Sequence, residues 1–450
     1  VIIGLGKHLL DFKEVIRGFA PLFLSLIIVG LVSFFGWEMI LSLYPQYQDM
    51  LHKFTYNGHS YIAAFVLLSL AICFWVYAKF TKSKLVPSHF VAPVFLWFII
   101  NLLVCIYLKG AAFFVFPAYF GVFTLMYFVF KEKSNPFINL AFSIPALVIF
   151  APFIQLLPIG LGLKMLAGSA VLVVLTFALL LPVFGNYSKK ANWGTLLFII
   201  SIGFFIKAHF DGKFEKGKGK PNSLLYVYDA DKEQANWATY DKVLDHWTKN
   251  YLGENPSLDN SLNQYGLSSK YNSGYSYSAI APKKNIAKPT FTFLRDTIVG
   301  NQRAITLQID ANKNVNRMDI FASEKLKIHH LKANGVQNIN QEGSFFKRKK
   351  SNLLNYYPIN NKPLLLSFQI HKDEKLDMAV MVSSFDLLEN PQFSIPKRPD
   401  AFIPMPFVLT DAIIVKKKIY KSVPKKVQII ENVETPIDTL ITQKDSLETN

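Results

Sequence analysis

Between Phe19 and His209 the chain is a succession of apolar runs, each about 17 to 25 residues long and almost free of charge. That is the length an α-helix needs to cross roughly 30 Å of hydrocarbon at about 1.5 Å per residue. The cores of soluble domains do not call for such runs one after another, so the sequence predicts a polytopic membrane protein. Seven spans are read, at about residues 18–44, 59–78, 90–108, 111–130, 137–157, 165–184 and 193–208. Only Lys109 and Gly110 separate the third from the fourth, which predicts an antiparallel helical hairpin. Backbone groups inside hydrocarbon must be bonded internally, so these segments should be helical despite many β-branched and aromatic residues. Pro93, Pro117, Pro145 and Pro152 predict kinks, and kinked spans need neighbouring helices, which points to a packed bundle.

Charge sets the expected orientation. Residues 1–210 hold 14 of the 48 Lys and Arg and 5 of the 31 Asp and Glu, a balance of +9 that leaves +8 of the total +17 for the rest. Basic residues of the first half cluster between spans: Lys7, Lys13 and Arg17 before the first, Lys79, Lys82 and Lys84 after the second, Lys131 and Lys133 after the fourth, Lys189 and Lys190 after the sixth. The alternate loops carry one each, Lys53, Lys109 and Lys164. Basic short loops stay in the cytoplasm, so after seven spans the second half is expected on the extracytoplasmic side. This placement of the lysines also accounts for the basic character without nucleic acid, which is not expected as a partner; the lipid bilayer is. The two cysteines, Cys73 and Cys105, both fall inside spans, which excludes a disulfide framework in the second half.

After the last span, residues 211–222 (DGKFEKGKGKPN) read as a Gly- and Lys-rich linker with no structure of its own. Residues 223–420 then read as a β-rich soluble domain. Strands are expected at 224–228 and 235–239, followed by a short amphipathic helix over 241–252 with Asp241 as its N-cap and Gly253 as its stop. A long loop is read over 257–282. Further strands are read at 290–294, 304–309, 317–322, 327–331, 364–370, 376–384 and 412–420, a spacing that suggests an antiparallel, sandwich-like fold. Residues 421–450 are polar and read as a disordered tail.

Chemistry-bearing patterns are sparse. Glu38 is the one acid well inside a span, and its place near Trp37 and Tyr44 suggests the interface rather than the bilayer centre. No H-E-x-x-H, G-x-S-x-G or P-loop occurs. His246 lies on the short helix, and neighbouring His329 and His330 on one strand point to opposite faces, so they cannot share an ion. The basic run 347–350 (KRKK) reads as a solvated loop. No residue is therefore assigned as catalytic, cofactor-binding or metal-ligating.

Three phrases nevertheless carry a resemblance. Residues 222–252 (NSLLYVYDADKEQANWATYDKVLDHWTKNYL), with Asp229, Asp231, Trp237, Asp241, Asp245 and Trp247, are similar to the start of the C-terminal domain in membrane-bound zinc peptidases of the endoplasmic reticulum metallopeptidase and vacuolar membrane protease type, most of all Bacteroidetes-like bacterial members. Residues 54–65 (FTYNGHSYIAAF) and 398–418 (RPDAFIPMPFVLTDAIIVKKK) resemble the same family. The resemblance implies a soluble aminopeptidase-like domain with two zinc ions and a Glu general base ahead of the spans, acting on peptides, in the bacterial inner membrane with the β-rich domain in the periplasm. None of its metal or base residues maps onto this chain. Val1 to Gly6 (VIIGLG) then reads as the end of an earlier span, and the chain as the anchor and accessory part of the enzyme. The alternative is a non-enzymatic transporter or scaffold, for which Glu38, Asn101, Asn139 and Gln155 are the few polar groups the spans offer.

Overall fold

A computed structural model of the chain describes residues 5–6, 9–81, 85–131, 135–263, 274–337 and 351–421. The basic run 347–350 and the tail after 421 lie outside the described residues. The described residues divide into two units, one of residues 1–221 with 399–406 and the other of residues 222–398 with 407–450.

The first unit is a helical bundle: α1 (Phe12–Leu43), α2 (Gly58–Phe80), α3 (Val91–Tyr107), α4 (Val115–Phe130), α5 (Pro136–Leu161), α6 (Leu166–Leu179) and α7 (Lys190–Phe210). Six of its helical segments are long and apolar enough to cross a membrane; α6, with 14 residues, is shorter and is followed by a break at Leu180 and a four-residue helix, Leu181–Phe184. The chain is thus a multi-span membrane protein, with the sixth of the expected spans built from two pieces. Pro182 at the start of the second piece accounts for the break, since it can donate no hydrogen bond to the turn before it.

Asp11 caps α1 through a hydrogen bond from the Lys13 backbone, and Asn135 caps α5 in the same way. Pro145, Pro152 and Pro158 lie inside α5. Pro93 and Pro117, read as kink sites, instead fall in the first turns of α3 and α4, where a missing N–H costs no helical bond. Small residues let the helices close on one another. A Cβ on Gly194 of α7 would meet the Trp75 ring of α2 at 2.7 Å, and Ser201 of α7 donates to the Ala64 carbonyl at 2.8 Å. Buried hydroxyls return to their own helices, as Ser69 does to Phe65 and Thr176 to Leu172.

The segment after α7 is not the unstructured linker expected from its composition. Lys220 starts strand β1 (Lys220–Asn222), which pairs with β13 (Phe402–Pro404). The Lys220 ammonium lies 3.0 Å from the carboxylate of Asp49, and both side chains are nearly inaccessible, at 5% and 0% exposure. Tyr56 donates to the Gly219 carbonyl, and Asn57 donates to the Ala208 carbonyl at 2.7 Å. Glycine and lysine signal a tether only when nothing meets them, and here the turns between α1 and α2 do.

In the second unit the described strands form two sheets, one of seven strands and one of five. The order in the first is β10 (Asn352–Tyr356), β7 (Arg317–Ala322), β12 (Leu376–Ser384), β14 (Ala412–Lys421), β2 (Leu225–Asp229), β3 (Gln234–Thr239) and β4 (Tyr277–Ile280). In the second it is β5 (Thr290–Val299), β6 (Gln302–Asp310), β11 (Leu364–His371), β8 (His329–Ala333) and β9 (Val336–Gln337). All pairings are antiparallel except β14 with β2, which is parallel. Alternate residues of β6 and β11 are buried, among them Ile305, Leu307, Leu366 and Phe368, whereas β12 is buried almost throughout. Strand β4 lies within the stretch read as a loop; residues 264–273 of that stretch are outside the described residues. The short helix is α8 (His246–Leu252), capped by Asp245 rather than Asp241. Asp241 cannot cap it because its carboxylate accepts from the backbone and hydroxyl of Ser223, both at 2.8 Å.

Candidate functional site

The most connected polar constellation of the second unit centres on Arg398. Its guanidinium donates to both carboxylate oxygens of Asp411, at 2.7 and 2.5 Å, and through Nε to the Asn222 side chain at 2.7 Å. Asn222 in turn donates to Asp245 at 2.9 Å, and Asp245 accepts from the Trp247 and Thr248 backbones at the start of α8. The Trp247 ring lies beneath the guanidinium, 5.0 Å from it, and its indole N–H donates to the Pro396 carbonyl. Asp411 also donates its own N–H to the Leu224 carbonyl at 2.9 Å, which fixes the start of β14 beside β2. With side-chain exposure of 8% for Arg398 and 17% for Asp411, the pair is nearly closed to solvent. Forked pairing, stacking and capping together make a knot that orders the unit.

A second cluster has the elements of an activated nucleophile. Lys313, before β7, donates to the Ser384 hydroxyl at 2.9 Å, and burial pushes its ammonium pKa down, with nearby Asp386 opposing. Burial would raise the Asp386 carboxyl, but Ser384, Asn390 and Lys313 outweigh it and hold it below its ordinary value. A serine within reach of a lysine of lowered pKa is one form of nucleophile and base. The surroundings do not support that chemistry. Ser384 is only 3% exposed, and the next backbone N–H, of Phe385, is bonded to Asn316 at 2.9 Å and cannot stabilise an oxyanion. The pair holds the loop before β7 to the end of β12.

Nearby, Asp319 is fully buried and burial raises its pKa, against hydrogen bonds from Arg317 and Asn355. Both of those bonds go to one carboxylate oxygen; the other has no hydrogen-bond partner.

The histidines of the sequence reading stay apart. His246 is exposed on α8, while His329 and the exposed His330 sit on β8, where His330 takes a positive φ of 50° at a register shift. Among the described residues no three His, Cys, Asp or Glu side chains gather as a metal ion would need. Within the bundle Glu38 is exposed on α1, Asn101 donates to Trp97 one turn back, and Asn139 donates to the Pro182 carbonyl. They form no continuous polar path.

Asn139 lines a hollow between α5 and the short helix after α6, and Gln155 faces a second cavity. This second one lies between α2, α5 and α6, has a volume of about 350 Å³, and is apolar apart from His59, Gln155 and Thr176. Sequence reasoning missed this cavity, the Lys313–Ser384 pair and the Asp49–Lys220 pair, because each joins side chains far apart along the chain with no local pattern. No protein-family model matches the chain, and no curated protein matches it.

Proposed function

We propose that this chain is the membrane-anchoring and accessory portion of a zinc-dependent exopeptidase of aminopeptidase type. Its catalytic domain is expected upstream of residue 1, with two zinc ions and a peptide substrate bound there. The observation that carries the reading is the Arg398 knot. Two phrases that resemble the metallopeptidase family, residues 222–252 and 398–418, supply Asn222, Asp245, Trp247, Arg398 and Asp411, and these meet in one hydrogen-bonded network. Such a network, nearly closed to solvent, suits a domain that supports an active site elsewhere.

The alternative, a non-enzymatic transporter or scaffold, would call for a polar route through the bundle. The apolar walls of the cavity between α2, α5 and α6 speak against polar solutes.

The deciding experiment reads the gene upstream of Val1 and assays the product of the whole open reading frame on aminoacyl chromogenic peptides, with and without a chelator. Chelator-sensitive release of N-terminal residues supports the proposal. A start codon within a few dozen residues, or no hydrolysis by the whole product, hands the question to the transporter or scaffold reading. The expected periplasmic side of the second unit, in a bacterial inner membrane, is tested separately. Asn260→Cys in a Cys105→Ser background should react with impermeant maleimide on intact spheroplasts, and labelling only after lysis would reverse the orientation.

A further inference from the structure

We propose that the cavity between α2, α5 and α6 is a binding site for a single bilayer phospholipid of anionic headgroup, which places one acyl chain in the slot. The inference is independent of the peptidase reading.

Three observations lead to it. The first is the slot's size and lining: about 350 Å³, within the range of small-molecule sites, with walls of Val66, Leu70, Leu147, Ile154 and Phe177. Apolar cavities of this kind stay dry, so in a membrane the group that enters is hydrocarbon. Thr176 changes nothing here, because its hydroxyl is bonded to the Leu172 carbonyl at 2.7 Å.

The second is its length. From His59 to Leu70 along α2 is about 16 Å at 1.5 Å per residue, close to half of a hydrocarbon layer of roughly 30 Å. The slot is therefore as deep as one leaflet, open to a chain that enters with its neighbours.

The third is the polarity of one end. His59 and Gln155 are exposed at the mouth, and two short turns close the same end of the bundle, Leu51–Lys53 before α2 and Leu163–Met165 between α5 and α6. These turns are pressed together: Gly162 has φ of 93°, and a Cβ there would fall 2.0 Å from the His52 carbonyl oxygen. The turns carry Lys53 and Lys164 at the end of the bundle where His59 begins the slot, and among the described residues neither lysine has an ion-pair partner. Of the acids at this end, Asp49 is committed to Lys220, Asp211 to Lys207 and Glu215 to Lys218, and Glu38 lies on the exposed face of α1. Two lysines and a histidine over an apolar slot complement a phosphate headgroup on an acyl chain.

The test is native mass spectrometry of the full chain, released from nanodiscs that contain phosphatidylglycerol and phosphatidylcholine in equal amounts. The wild-type chain should retain one phosphatidylglycerol in preference to phosphatidylcholine. Ala151→Phe, at an exposed position of the slot wall, should lose that lipid, while Ile199→Phe on the outer face of α7 should keep it. Lys53→Gln with Lys164→Gln should keep a lipid but lose the headgroup preference by about fivefold for each lysine removed. Retention of no lipid by the wild type, or equal retention of both headgroups, overturns the proposal without recourse to any variant. So does an unchanged lipid on Ala151→Phe.

Discussion

Arg398→Ala should cost the second unit about 4 kcal/mol, because it leaves the Asp411 carboxylate, 17% exposed, without its forked partner. The Asn222 side chain loses a donor and the Trp247 ring its cation in the same step. For a unit of this size, about 4 kcal/mol corresponds to a fall in Tm of roughly 8 to 16 °C. Arg398→Lys keeps the charge but not the fork, and should lose about half as much. Removing both charges, as Arg398→Met with Asp411→Leu, leaves no buried carboxylate stranded and should recover part of the loss. The assay is thermal unfolding of the full chain in detergent, followed by far-ultraviolet circular dichroism at the β-sheet transition. A loss under about 1 kcal/mol for Arg398→Ala, or a double variant worse than the sum of the single ones, would refute the view that the knot is closed and cooperative.

Asp49→Ala should strand the Lys220 ammonium and loosen residues 211–222, at a cost of about 3 to 5 kcal/mol. Limited trypsin digestion would then cut after Lys216, Lys218 or Lys220 much faster than in the wild type; equal rates would mean that the ion pair does not hold the segment. Asp319 gives a pH signature. Its folded pKa is raised, so between the ordinary value of about 3.9 and the raised value the folded chain binds the proton that the unfolded chain has released. Stability contributed by this group therefore falls as pH rises through that window, and Asp319→Asn should flatten the slope in melts recorded between about pH 4 and 7. An unchanged slope would show that Asp319 titrates normally.

The membrane half was legible because length and lack of charge are local properties that the bilayer imposes on each span separately. Residues 165–184 satisfied the same rule, and only Pro182 hinted that the helix would break after Leu179. The strands were legible from β-branched runs, but their order was not, since a parallel partner for β14 in β2 leaves no trace at either position. Asp241 looked like a cap until Ser223 claimed its carboxylate. The linker misled for a related reason: composition describes what a segment prefers alone, and Asp49 lies far from Lys220 in the chain. Two phrases singled out for their wording turned out to share Arg398, and no rule of spacing would have joined Asn222 to a residue 176 positions later.

That parallel pairing of β2 with β14 also sets a schedule for synthesis. At roughly 5 to 20 residues per second, a ribosome that has released β2 needs about 10 to 40 s more before β14 emerges. Until then the edge of β2 that will receive β14 has no partner, and the carboxylate that will hold Arg398 does not yet exist. The helices of the first half can enter the bilayer one by one, whereas the second half must wait for nearly its last strand before its larger sheet can close. A chain cut short before residue 411 would therefore be left with an inserted bundle and an open sheet edge, the form most exposed to quality-control proteases.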